Sequence, residues 1–147
     1  MRILLAYDGF EHSRHALEEA AELGRSKESS VTVVSVVPET EARASKSGGH
    51  RWLAPHAHQD VAVAHKFLRE RGVDAEVRIL YGDPVTELKK EAAAGYDLMV
   101  VGSRKRGAVA RLLLGTVSGQ LVTELSVPVL IAGKDAAVRH EPIASGD

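Results

Sequence analysis

Apolar positions along the chain fall into two alternating rhythms, short unbroken runs and longer stretches with a helical period. Ile3 to Tyr7 is a continuous apolar run of the kind found in strands buried on both faces of a parallel sheet, and it ends at Asp8. From Glu11 to about Leu23, Ala16, Leu17, Ala20, Ala21 and Leu23 recur at helical spacing. Glu18, Glu19 and Glu22 lie opposite, and Gly24 stands where a helix is capped. Val31 to Val37 is rich in β-branched residues and stops at Pro38, which predicts a second strand. Glu39 to Leu53 has no period and holds Ser47-Gly48-Gly49 and the single tryptophan, Trp52; it predicts a loop long enough to cover a ligand. Pro55 to Arg71 reads as a second helix with Val61, Ala64 and Leu68 inward and Gly72 closing it.

Ala75 to Leu80 alternates and predicts a third strand. Asp83 and Pro84 then supply the N-cap and first residue of a third helix carrying Val85, Leu88 and Ala92 and ending near Gly95. Leu98 to Val101 is a fourth buried strand that runs into Gly102. A glycine-punctuated segment leads to a last helix from about Thr116 to Leu125 and a fifth strand, Val127 to Ala132. Five strands thus alternate with four helices, which predicts an α/β fold with a parallel, doubly wound sheet, because parallel strands need right-handed crossovers that cover both faces. One domain is expected over residues 1–135. From Gly133 the chain is polar and aperiodic, and residues 136–147 are expected to form a loose tail.

Nineteen basic residues nearly balance twenty acidic ones, so no global field draws the chain to nucleic acid or to anionic lipid. The absence of cysteine excludes disulfides, thiolate nucleophiles and cysteine metal sites, and fits a cytoplasmic protein. The first apolar run is too short for a membrane span.

Ligands of an open doubly wound sheet lie beyond the carboxyl ends of its strands, where strand order reverses. Two turns qualify: Asp8-Gly9 after strand 1, and Gly102-Ser103-Arg104-Lys105-Arg106-Gly107 after strand 4, leading to Gly115-Thr116-Val117-Ser118 at the mouth of the last helix. That helix start offers free N–H groups and a positive dipole end, with Arg104, Lys105, Arg106 and Arg111 upstream, a cradle suited to phosphate. The same residues also fit turn glycines, hydroxyl caps and a solvated basic loop. Neither the P-loop ending nor the Gly-x-Gly-x-x-Gly spacing is present.

The run from Gly102 through Arg106-Gly107-Ala108-Val109-Ala110-Arg111-Leu112-Leu113-Leu114 to Gly115-Thr116-Val117-Ser118, closing in Val127-Pro128-Val129-Leu130, resembles the C-terminal signature of the universal stress protein family. Asp8-Gly9 followed by His12-Ser13-Arg14-His15-Ala16-Leu17 is similar to its N-terminal signature. The resemblance implies a Rossmann-like sheet of the adenine nucleotide alpha hydrolase type, in strand order 3-2-1-4-5. It implies an ATP or AMP site, with Mg²⁺ as a possible companion, and a role as a stress-response switch. Asp8 would contact adenosine, Val36 would line the adenine slot, and Gly102 would lie under ribose or phosphate. Arg104 and Lys105 would lie beside the phosphates, and Gly115, Thr116, Val117 and Ser118 would bind them. The ATP-binding pattern is Gly, two residues, Gly, nine residues, Gly and a hydroxyl residue, and here Lys105 stands at the second glycine. Phe10 stands where the family often has a small hydroxyl residue.

Two readings follow: a nucleotide-binding switch, or a nucleotide-free dimeric interaction module of the same fold. The family covers the apolar last strand, Pro128 to Ala132, by pairing it with a second subunit, so a homodimer with an unknown regulatory partner is expected. A tail that shields the same edge within a monomer is the alternative. A metal site needs three or four converging ligands, and nothing in the sequence brings Asp8, His12 and His15 together with His56 and His58 at the start of the second helix; His12 and His15 are expected to face solvent. Ser47-Gly48-Gly49-His50 follows strand 2 and lacks the continuation of a pyrophosphatase loop. No catalytic residue is assigned, and at most slow ATP hydrolysis is expected.

Overall fold

The computed structural model describes residues 1–9, 11–37, 53–102, 125–132 and 137–140. In chain order these form β1 (Arg2–Ala6), α1 (Glu11–Leu23), β2 (Ser30–Val37), α2 (Leu53–Glu70), β3 (Asp74–Tyr81), α3 (Pro84–Ala92), β4 (Leu98–Gly102), β5 (Val129–Ala132) and β6 (Ala137–His140). The strands make one sheet in the order β3-β2-β1-β4-β5-β6. The first five are parallel, as the alternation of strands and helices predicts, and keep the order 3-2-1-4-5 that the resemblance implies. Among the described residues there are three helices; the fourth, expected from about Thr116, falls almost wholly outside them.

The unbroken apolar runs are explained by burial on both faces. Ile3 and Leu5 of β1 point with Val31, Val33, Val100 and Leu130 toward α1 and α2, which contribute Ala16, Leu17, Ala20, Val61, Ala64 and Leu68. Leu4 and Ala6 point the other way with Val34, Met99 and Val129, toward Val85, Leu88 and Ala92 of α3 and toward Leu125 and Val127. Each fully buried Leu or Ile contributes about 2 kcal/mol. The start of α3 follows the local chemistry read from the sequence: Asp83 accepts a hydrogen bond from the Thr86 N–H at 3.0 Å, and Pro84 occupies the first turn, where its missing donor costs nothing.

Among the described residues, one charged side chain is buried inside this frame. Glu91 of α3 is 6% exposed, and both its carboxylate oxygens lie 2.7 Å from the Arg78 guanidinium of β3. The Tyr96 hydroxyl donates to the same carboxylate at 2.7 Å. Burial raises the Tyr96 pKa, so the phenol keeps its proton for that bond. Arg2 stacks 4.8 Å from the Tyr96 ring centroid and donates to the Gly95 carbonyl at 2.8 Å, which fastens the start of β1 to the chain leading into β4.

Two expectations are corrected at the far side of the sheet. The fifth strand, expected at an open edge from Pro128, begins at Val129 and is hydrogen-bonded on its outer side to β6, antiparallel, from Val129↔His140 to Ala132↔Ala137. Residues 137–140 of the tail expected to be loose are therefore a strand. An apolar strand left at an edge exposes unpaired N–H and C=O groups, and the four-residue connection 133–136 is long enough for the chain to turn back and satisfy them. Four residues are too few to show a period in the sequence. The opposite edge, β3, is protected differently, by the exposed charges of Asp74, Glu76 and Arg78.

Replacing Glu91 by Ala removes the shared partner of Arg78 and Tyr96 and is expected to cost about 2 kcal/mol of unfolding free energy. Arg78 is half exposed and its loss leaves the buried Glu91 carboxylate without a counter-charge, so Arg78→Ala is expected to cost more. Urea denaturation of both variants checks the ranking, and equal losses would contradict it.

Candidate functional site

Strand order reverses between β1 and β4. The chain leaves β1 for β2 on one side and returns to β4 on the other, with Ile3 beside Leu98 and Leu5 beside Val100. Their carboxyl ends open side by side at the switch point where an open α/β sheet takes its ligand. Tyr7 prolongs the pairing by donating its N–H to the Val34 carbonyl at 2.9 Å, and Asp8 follows directly. Val36 is half-buried near the end of β2, and Gly102 is the buried last residue of β4, paired with Ala132. Asp8, Val36 and Gly102 thus lie at the carboxyl ends of three adjacent strands. Arg104, Lys105, Gly115, Thr116, Val117 and Ser118, with Phe10 and the loop from Glu39 to Trp52, lie outside the described residues.

The turn after β1 is closely held. Gly9 has φ +82°, a left-handed conformation that favours glycine. Ser13, buried in the first turns of α1, donates its hydroxyl to Asp8 Oδ1, and the Asp8 N–H donates to Ser13 Oγ at 3.3 Å. From α2, Asp60 presses against the turn from outside it: a Cβ on Gly9 would fall 2.5 Å from Asp60 Cγ and Oδ1. His56, one helical turn earlier, places Nδ1 2.8 Å from Asp60 Oδ2.

These groups set each other's protonation. Burial raises the Asp60 pKa above the ordinary carboxylate value; the His56 hydrogen bond and charge oppose the rise and the Asp8 charge adds to it. Tyr7 is raised by burial first, then by Asp60 and Asp8. The turn therefore sets two carboxylates near a buried, neutral phenol. It can accept hydrogen bonds from hydroxyl or amino groups, and it lacks the ligands of a metal centre: among the described residues no group of three or more His, Asp or Glu side chains is placed to hold an ion.

Of the histidines, His58 is exposed and His15 half-buried, whereas His56 is tied to the turn through Asp60. Asp60 and Ser13 were not singled out by the sequence as site residues. The i, i+4 spacing of His56 and Asp60 is visible there, but only the packing of α2 against the sheet brings that pair to the end of β1. A second depression, between α1 and α2, is lined by Arg14, Arg25, Phe67 and Arg71. Its cations are already engaged: Arg14 with Glu18 at 3.5 Å, Arg25 with Glu22 at 3.3 Å, and Arg71 over the Phe67 ring at 3.4 Å.

Comparison with known proteins agrees with this architecture. The model of the universal stress protein family matches residues 1–133. The stress response protein NhaX of Bacillus subtilis is 28% identical, over 88% of this chain and 96% of its own length. A universal stress protein of Mycobacterium tuberculosis is 30% identical over 98% of this chain, which spans 52% of that relative. Among solved structures, the universal stress protein from Archaeoglobus fulgidus in complex with dAMP shares the fold at TM-score 0.68 and 22% identity, covering 90% of this chain and 97% of that one. A family protein from Arabidopsis thaliana with AMP bound does so at TM-score 0.63 and 19% identity, covering 92% and 93%.

The raised Asp60 pKa has a consequence for stability. A carboxyl that holds its proton more tightly when folded contributes stability at low pH and loses it as pH climbs through the folded value. The stability difference between Asp60→Asn and wild type should therefore shift toward the variant as pH rises from about 4. Urea midpoints at stepped pH measure this, and a pH-independent difference would contradict it.

Proposed function

Because the chain belongs to the universal stress protein family, we propose that it binds an adenine nucleotide, ATP or AMP, where β1 and β4 end, and serves as a ligand-biased switch in the stress response. The observation that carries this reading is that the Asp8-Gly9 turn and Gly102 follow the carboxyl ends of the adjacent strands β1 and β4, at the switch point. Relatives of the same fold with bound AMP and dAMP support it. In this reading the Asp8 carboxylate accepts from the nucleoside, the half-buried Val36 lines the base, and Gly102 leaves room for ribose or phosphate. Arg104 and Lys105 supply charge to the phosphates, which the N–H groups and hydroxyls of Gly115, Thr116, Val117 and Ser118 bind, with Mg²⁺ a companion of ATP. Catalysis is not part of the proposal. In this reading the protein acts in the cytoplasm, a reducing compartment that a chain without cysteine fits.

Lys105 is the one specific feature that favours the second reading, a nucleotide-free interaction module, because a long side chain replaces a glycine that lets backbone approach phosphate. Titration with ATP and Mg²⁺, followed by calorimetry and Trp52 fluorescence, separates the two. Saturable binding that disappears in Gly115→Asp is expected. Lys105→Gly then weakens binding if the ammonium pairs with phosphate and strengthens it if the side chain obstructs. No binding up to millimolar ATP in folded protein would overturn the nucleotide reading and leave the module.

Self-association is proposed through the β5 edge, in competition with β6. A chain ending at Asp135 lacks β6 and should sediment as a dimer at concentrations where the full chain is more monomeric. Two identical profiles would exclude that competition.

A further inference from the structure

The contact between α2 and the turn after β1 carries more than packing. His56 and Asp60 form an i, i+4 pair, and such pairs on open helix surfaces contribute little. This pair is asymmetric. The His56 side chain is 59% exposed, whereas that of Asp60 is 16% exposed and turned inward, against Gly9 and toward a second carboxylate, Asp8. Keeping an ionisable carboxyl there works against folding, since burial and the neighbouring charge both disfavour its ionised form. A strained arrangement of this kind beside a ligand crevice is the pattern of a functional group.

We propose that Asp60, held by His56, is a positioning residue of the nucleotide site: it braces the Asp8-Gly9 turn and so fixes where the Asp8 carboxylate points. The inference rests on the nucleotide reading above. The geometry is specific. Gly9 turns through a conformation that favours glycine, and the space its missing side chain leaves is filled by the Asp60 carboxylate. Asp8 is gripped from the other side by Ser13 of α1, through both its backbone N–H and its side chain. The turn is thus clamped between α1 and α2. Tyr7 lies within the field of both carboxylates and Arg14 adds the opposing charge from α1. Loss of the α2 jaw removes the Asp60 side of this clamp and leaves the Ser13 side in place.

The test uses the full-length protein with AMP as the probe, and it reads the turn separately from the ligand. In the ligand-free state the amide resonance of Gly9 should move in the same direction in Asp60→Ala and in His56→Gln, and stay near its wild-type position in Asp60→Asn, whose amide fills the same space. AMP affinity by calorimetry should fall about tenfold in Asp60→Ala and several-fold in His56→Gln, and be largely retained in Asp60→Asn. His56 is exposed, so its variant folds even if Asp60→Ala does not. A Gly9 resonance that does not move in His56→Gln overturns the brace whether or not AMP binds. A moved resonance with unchanged AMP affinity overturns the positioning role. A wild-type protein that binds no AMP removes the nucleotide reading by itself, and the positioning role with it, while the Gly9 resonance still decides whether the brace exists.

Discussion

The structure depends on one strand. β1 is hydrogen-bonded to β2 on one side and to β4 on the other, and its side chains are buried alternately in the two halves of the core. Everything else is placed relative to it. A parallel strand must be reached by a crossover, and the crossovers on its two sides diverge, so the chain opens a crevice at its carboxyl end and nowhere else in the sheet. The position of the candidate site is thus a consequence of topology before any particular side chain is considered. The Arg2 contacts to Gly95 and Tyr96 and the bond from the Arg2 N–H to Asp97 at 2.7 Å fasten the opposite end of the same strand.

Charge is handled differently in three places. Around Glu91 a buried carboxylate is fully satisfied by Arg78 and Tyr96, which ties β3, α3 and the chain before β4 together on one face. At the Asp8-Gly9 turn two carboxylates are brought near each other with an exposed imidazole as partial compensation, so the arrangement is less comfortable and more responsive. Along β3 the charges of Asp74 and Glu76 remain in water and keep an edge from pairing. The first ties packed elements together, the second holds the turn after β1, and the third guards an edge.

The two edges of the sheet also differ in kind. β3 is shielded by its own side chains, while β5 is shielded by another segment of the chain, β6. A strand held by four residue pairings on one side only is easier to release than one in the middle of a sheet. Any partner that pairs with β5 has to displace it.

The pattern of apolar residues, with the prolines and glycines that punctuate it, determined the α/β class, the five parallel strands and the limits of α1, α2 and α3 to within a few residues. These are local properties: burial on two faces, a period of 3.6, a proline or glycine at an end. The Asp8-Gly9 turn and Gly102 were legible for the same reason. Tertiary structure decided what local pattern cannot encode, namely which distant groups meet. Asp60 lies 51 residues beyond Gly9 in sequence and yet fills the space beside it, because α2 packs across β2 and β3 with its first half directed at the end of β1. Glu91 and Arg78 look like surface charges until β3 and α3 are packed together. β6 is too short to announce itself, and it forms because β5 presents an edge to pair with. Side-chain period is a property of neighbours along the chain, whereas a brace, a buried ion pair and an edge strand are properties of neighbours in space.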